Sequence, residues 1–142
     1  GADVRLPVSG TVFLSVNDKD KHETTLGIAR QLIDMGFRLV GTRGTTLFLF
    51  DHGIPVQLVF KVNEGRPNIA ELLESGEIDL VINTPLGLTS RFDDKSIRVA
   101  ASNRGIAVIT TLQAAEAAID AMQRARSGAV DRFAVQDWMN PA

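Results

Sequence analysis

The run Lys61-Val62-Asn63-Glu64-Gly65-Arg66-Pro67-Asn68-Ile69 puts two cations, a Gly and a Pro into a loop between apolar stretches, a composition suited to holding an anion. Lys21 follows the first apolar run of the chain, and Thr42-Arg43-Gly44-Thr45 follows the second. The second group leads into a helix, whose free N–H groups and dipole favour a phosphate. Asn83-Thr84 closes a later apolar run and offers an amide and a hydroxyl to a phosphate oxygen or a base edge. Each group also has a plainer use. Thr42 or Thr45 can cap its helix, Lys21 can be a solvated surface lysine, Arg66 can pair with Glu64, and Asn83-Thr84 can shape a turn.

What raises the anion reading above these uses is the order of the elements. Thr11 to Val16 is a short apolar and β-branched run bounded by Gly10 and a polar stretch, and predicts a buried strand. Leu26, Ala29, Leu32 and Ile33 then recur at helical spacing between Lys21 and Met35, with Asp20 placed to cap and Gly36 to end the helix. Strands follow over Phe37 to Gly41 and Val56 to Phe60, separated by a short helix from Thr45 to His52. Pro67 suits a first helical turn ahead of a helix over Asn68 to Ser75, and Ile78 to Ile82 supplies a fourth strand. Asn83 to Phe92 reads as an irregular loop before a helix through Ile97, Ala100 and Ala101; Ala107 to Ile109 reads as a fifth strand. The alanine-rich stretch from Leu112 to Arg126 predicts a last helix ended by Ser127-Gly128, with a short extra strand at Phe133 to Val135 and Trp138 near the tail.

Alternating strands and helices imply an α/β fold with right-handed crossovers and a parallel sheet flanked by helices. Ligands in such sheets sit at the carboxyl ends of the strands. The loops after the first four strands carry Lys21, Thr42 to Thr45, Lys61 to Pro67, and Asn83 to Ser90, so all four candidate segments fall on one edge.

Composition narrows the classes. The 142 residues, 44% of them hydrophobic, suffice for one domain with its own core. The absence of Cys excludes disulfides and thiolate metal sites and fits a cytoplasmic protein. His22 and His52 have no second ligand at useful spacing, so no metal is expected. A net charge of -2 argues against nucleic acid as a partner, and no apolar run is long enough to cross a membrane. Asp18, Asp20, Asp93 and Asp94 are the loop carboxylates able to act as acid or base, though surface loops are commonly acidic.

Taken together, Ser15-Val16 through Lys21, Thr42-Arg43-Gly44-Thr45, Lys61 to Ile69 and Ile82-Asn83-Thr84 closely resemble the C-terminal allosteric domain of the bacterial carbamoyl-phosphate synthase large subunit. The likeness covers nearly the whole chain. It implies a methylglyoxal synthase-like three-layer fold with a five-stranded parallel sheet. It further implies the last piece of an ATP-dependent ligase of arginine and pyrimidine biosynthesis, which uses ATP with Mg or Mn and works with a glutaminase small subunit. A purely structural oligomerisation domain, forming a homo-oligomer, is a third reading that can coexist with the first. This piece would need no cofactor and would bind UMP as inhibitor or IMP as activator. The family motif places the nucleotide phosphate near Lys21, Thr42, Thr45, Lys61 and Asn83, with Thr84 beside them, and an amino-acid effector such as ornithine near Thr110. Pro85 stands where the family often has another Thr, and Val108 where some relatives carry an aromatic hydroxyl for ornithine. On this reading residues 1–6 are a cloning remnant and linker, and 7–142 form the regulatory domain.

Methylglyoxal synthase, a phosphate-eliminating lyase, is the rival member of that fold. Its loop after the fourth strand reads Pro-Leu-Gly-Gly-Asp, with the Asp as base, whereas this chain has Pro85-Leu86-Gly87-Leu88-Thr89. A later catalytic His is also missing, since no His follows His52. Loss of the base alone costs ~100-fold or more in rate. No catalytic residue is therefore expected.

Overall fold

In the computed structural model, which describes residues 6–61, 64–84 and 91–135, and their side chains except at 91–94 and 127–135, the apolar run after Gly10 forms strand β1, Thr11–Ser15. Helix α1 is Glu23–Asp34, β2 Arg38–Gly41, α2 Arg43–Phe50 and β3 Gln57–Leu58. They are followed by α3, Ile69–Glu74; β4, Leu80–Asn83; α4, Arg91–Asn103; β5, Val108–Ile109; and α5, Leu112–Val135. The five strands are parallel in the order β3-β2-β1-β4-β5. This is the α/β sheet expected from the alternation of apolar runs.

The strands in the middle of the sheet are buried on both faces and alternate between two cores. Val12 and Leu14 of β1, Leu39 of β2, and Leu80 and Ile82 of β4 pack with α1 and α5 residues such as Ile28, Leu32, Ile119 and Met122. Phe13, Val40 and Val81, one residue out of phase, pack instead with Ile69 and Leu73 of α3 and with Ile97 and Ala101 of α4. Side-chain alternation thus sets which helices lie on which face, and gives three layers. At the end of α1, Gly36 takes φ +92°, where a side chain would be strained.

Several boundaries differ from the sequence expectation. Asp20 does not cap α1: Asn17 caps a single 3-10 turn, Asp18–Asp20, and the Nδ1 of His22 accepts the Thr24 N–H to start α1 two residues after Lys21. Helix α2 begins at Arg43 with Thr42 as its N-cap, because the chain turns directly off Gly41. Only Gln57–Leu58 of the expected third strand pairs, since this edge strand has β2 alone as a neighbour; Phe60 instead bridges Asn68. Pro67 lies before the Asn68 cap rather than in the first turn of α3.

The largest difference is at the end. Helix α5 continues through Ser127-Gly128 to Val135, so the extra strand at Phe133 to Val135 does not form. One Gly costs a helix only about 1 kcal/mol relative to Ala, too little to stop a run of good helix formers. Trp138 and the Pro85 to Ser90 segment lie outside the described residues. Among the described residues, no helix is long and apolar enough to cross a membrane.

Candidate functional site

Strand order reverses between β1, which α1 follows toward β2, and β4, which sits on the other side of β1. At such a point the two loops at the strands' carboxyl ends diverge and leave a crevice for a ligand. Of the seven buried polar residues described, five lie at this edge: Ser15, Thr42, Thr45, Asn83 and Thr84. A buried hydroxyl or amide is costly unless it is bonded, so this concentration is a built feature rather than surface variation.

The bonds run between elements. Thr45 Oγ1 accepts the main-chain N–H of Val16 at 3.0 Å, and Thr42 Oγ1 lies 3.1 Å from Ser15 Oγ and 3.4 Å from Thr45 Oγ1. Across the sheet, Ser15 stands in register with Asn83, its carbonyl accepts the N–H of Thr84 at 2.9 Å, and Thr84 Oγ1 accepts the N–H of Asn17 at 2.9 Å. Loops after β1, β2 and β4 are thereby tied into one rim. Gly41 is needed for the closeness of this packing, because a Cβ there would come 2.8 Å from the Leu14 carbonyl oxygen.

Helix α2 opens onto the rim. Its cap, Thr42, makes no side-chain capping bond to a main-chain N–H of the first turn. The N–H groups of the first turn, from Arg43 to Thr45, have no acceptor within an α-helix, and together with the helix dipole they attract an anion. Lys21 supplies the cation: its Nζ lies 3.4 Å from where a Cβ on Gly44 would be. The same ammonium pairs with Asp18 Oδ1 at 2.6 Å. That hydrogen bond, and then the charge of Lys21, holds the exposed Asp18 carboxyl below its ordinary value.

Lys61 stands on the neighbouring loop after β3, where its N–H donates to Glu64 Oε1 at 2.9 Å and its carbonyl accepts from the Glu64 N–H at 3.0 Å. Gly65 lies against the Phe60 ring, with 3.3 Å between the ring and a hypothetical Cβ. Arg66 does not pair with Glu64 as its position in sequence suggested. Both its Nε, at 2.8 Å, and its Nη2 reach Glu71 Oε2, whose Oε1 accepts the Asn68 N–H in the α3 capping box. Arg66 is thus committed to helix α3.

A cleft of about 330 Å³ is lined by Thr84 together with Asn17, Asp20, His22, Thr110, Thr111 and Glu116 among others. Thr110 therefore shares a cleft with two carboxylates but is not part of the Thr42–Thr45 network. Among the described residues, no group of three or more His, Cys, Asp or Glu side chains is placed to hold a metal ion.

The structure therefore brings together Lys21, Thr42, Thr45, Asn83 and Thr84, with Lys61 on the adjoining loop and Thr110 in the cleft that Thr84 also lines. Sequence reasoning did not assign roles to Ser15 and Asn17. A polar residue at the end of an otherwise apolar strand was the available signal for Ser15; the use of the Asn17 N–H depends on the β1–β4 register and leaves no mark in the sequence.

Comparison with known proteins gives a consistent result. The model of the MGS-like domain family matches residues 24–110. The carbamoyl phosphate synthase large chain of Archaeoglobus fulgidus is 42% identical over 137 residues, covering 96% of this chain and 13% of that protein. That of Synechocystis sp. is 39% identical over 140 residues, covering 98% and 13%. The carbamoyl phosphate synthase large chain, C-terminal section, of Methanopyrus kandleri is 48% identical over 119 residues, 83% of this chain and 22% of that protein. The chain thus spans a small part of the length of these relatives. Among solved structures, a crystal structure of ForH superposes with a TM-score of 0.55 at 20% identity, over 84% of this chain and 80% of that one, a likeness of fold.

Proposed function

Because the chain belongs to the MGS-like domain family, we propose that it is the effector-binding unit of a carbamoyl-phosphate synthase large subunit, taking a nucleoside monophosphate at the carboxyl edge of the sheet. The observation that carries this reading is the open first turn of α2 with the Lys21 ammonium beside Gly44. In the proposed complex the phosphate lies against the Arg43 to Thr45 N–H groups, between Lys21 and Lys61, and accepts from the Thr42 and Thr45 hydroxyls. Asn83 and Thr84 border the sugar or a phosphate oxygen. The nucleotide is UMP as inhibitor or IMP as activator.

Binding becomes regulation only if a nucleotide favours one state of the whole enzyme over another. The proposed whole is the ligase of arginine and pyrimidine biosynthesis, working in the cytoplasm with ATP, Mg or Mn, and a glutaminase small subunit. Ornithine, or another amino acid with a cationic side chain, is proposed for the cleft at Thr110. Asp20 and Glu116 line that cleft and supply charge of the fitting sign.

Calorimetric titration with UMP and IMP tests the reading. We expect binding of at least one of the two that weakens in Lys21→Ala; no heat from either nucleotide sinks it. Turnover of dihydroxyacetone phosphate to methylglyoxal would instead restore the lyase reading, which the replacement of the family's Asp by Thr89 disfavours.

A further inference from the structure

Lys21, the cation beside Gly44 in the first turn of α2, is already engaged by a neighbour. Its Nζ donates to Asp18 Oδ1 at 2.6 Å, a short charge-assisted bond. The Lys21 side chain is 20% exposed and that of Asp18 97% exposed, so a largely buried stem presents its charge to a carboxylate held out in solvent. The turn between them imposes the pairing. Asp18–Asp20 is a single 3-10 turn, closed by the Lys21 N–H on the Asp18 carbonyl at 3.3 Å, and residues three apart eclipse in that geometry. Asn17 fixes its start, accepting the Asp20 N–H at 3.0 Å and donating its own N–H to Thr84 Oγ1.

A phosphate at the first turn of α2 calls on the same ammonium. A carboxylate and a phosphate beside one ammonium are like charges at close range, so each opposes the other. Asp18 is the partner able to leave, because a side chain so exposed turns into water with little loss of solvation or packing. The Lys21 stem, being packed, stays at the rim. Asp20, the other carboxylate of the turn, points Oδ1 toward His22 Nε2 at 4.0 Å and lines the cleft at Thr84, so the pairing with Lys21 is Asp18's.

Given the phosphate site proposed for the α2 turn, on which this rests, we infer that Asp18 is a built-in competitor for that site: its carboxylate holds Lys21 until a phosphate displaces it, an autoinhibitory contact. An attached competitor multiplies the affinity for every anion by the fraction of molecules in which Lys21 is uncovered. Weakly bound solution anions are thereby kept off the ammonium. The site then responds to its ligand over a higher concentration range than the cation and the helix would set by themselves.

Calorimetric titration at neutral pH with UMP, IMP and inorganic phosphate compares the wild type with Asp18→Asn, Asp20→Asn, Lys21→Gln and the double variant Asp18→Asn/Lys21→Gln. Asp18→Asn is expected to bind about three- to fivefold more tightly, the upper range for an exposed ion pair, and Asp20→Asn to stay close to the wild type. With Lys21→Gln in place, Asp18→Asn brings no gain, which separates competition for the ammonium from plain repulsion of the ligand. Carbon-13 NMR of the Asp18 carboxyl, recorded without ligand, should show it titrating below its ordinary value in the wild type and returning toward it in Lys21→Gln. UMP or IMP binding that Asp18→Asn leaves unchanged or weakens overturns the inference and leaves the nucleotide reading standing. Inorganic phosphate binding that tightens in Asp18→Asn, with no heat from either nucleotide, upholds the competitor and removes the nucleotide. A gain that persists without Lys21, an equal gain in Asp20→Asn, or an Asp18 carboxyl that titrates alike in wild type and Lys21→Gln also overturns it. Failure of all three anions to bind any of the proteins removes both readings.

Discussion

Thr45, in the first turn of α2, accepts the N–H of Val16 just past the end of β1 at 3.0 Å, so a hydroxyl proposed to face the ligand also fastens two elements of the fold. Thr45→Val keeps the shape and removes the acceptor, leaving a buried N–H unpaired. The expected loss is about 1–3 kcal/mol of stability, measured by urea unfolding. Nucleotide affinity should fall as well, because the variant also lacks the hydroxyl proton. Unchanged stability would show that Val16 finds another acceptor.

Gly44 is where the cation meets the helix. A Cβ at this position would stand 3.4 Å from Lys21 Nζ, in van der Waals contact with it, and would come between the ammonium and the first turn of α2. Gly44→Ala should therefore lower nucleotide affinity by about tenfold, equivalent to about 1.4 kcal/mol. Its thermal midpoint should stay level or rise, since Ala favours helix over Gly. Calorimetry beside a melting curve separates the two effects; equal affinity for both proteins would remove Gly44 from the site.

Two carboxylates, Asp18 exposed and Glu71 half-buried, give the fold an acid sensitivity of defined sign. The hydrogen bond from Arg66 and then the Asn68 N–H hold Glu71 below its ordinary 4.5, while the hydrogen bond and charge of Lys21 hold Asp18 below 3.8. A carboxyl whose folded value is depressed contributes stability above its unfolded value and loses it as pH falls through the folded one. Unfolding curves recorded downward from pH 5 should show a decline that is shallower in Glu71→Gln and Asp18→Asn. Parallel curves for wild type and both variants would contradict this.

Legibility in the sequence followed the number of physical constraints on each segment. The runs that became β1, β2 and β4 were clear, because strands covered on both faces must be continuously apolar. The run Val56 to Phe60 has the same character, yet only two of its residues pair, since an edge strand's extent is set by its neighbour. Ser127-Gly128 looked like a stop and was not one, because a stop also requires that ending the helix be favourable. At the site, Thr42, Thr45 and Lys21 could be named from their loops. That Arg66 serves Glu71 rather than Glu64 depended on the turn of the chain into α3, which side-chain type does not encode.

The loop after β3 offers a direct contrast between its two cations. Arg66 spends its guanidinium on Glu71, which also closes the capping box with Asn68, so Arg66→Ala should loosen the start of α3. Its effect on nucleotide affinity should be small. Lys61 forms no ion pair with any described residue, and its main chain is pinned through Glu64 where the loop leaves the sheet edge. A charge-assisted bond to phosphate contributes about 1.5–3 kcal/mol, so Lys61→Ala should weaken UMP or IMP binding at least tenfold with little change in unfolding midpoint. Asn68→Ala provides the structural reference for the loop, costing about 1 kcal/mol through the cap alone. If Arg66→Ala and Lys61→Ala reduce affinity equally, the loop acts through its overall charge. If only Arg66→Ala does so, the ion pair with Glu71 must open for the ligand, and Lys61 leaves the proposed site.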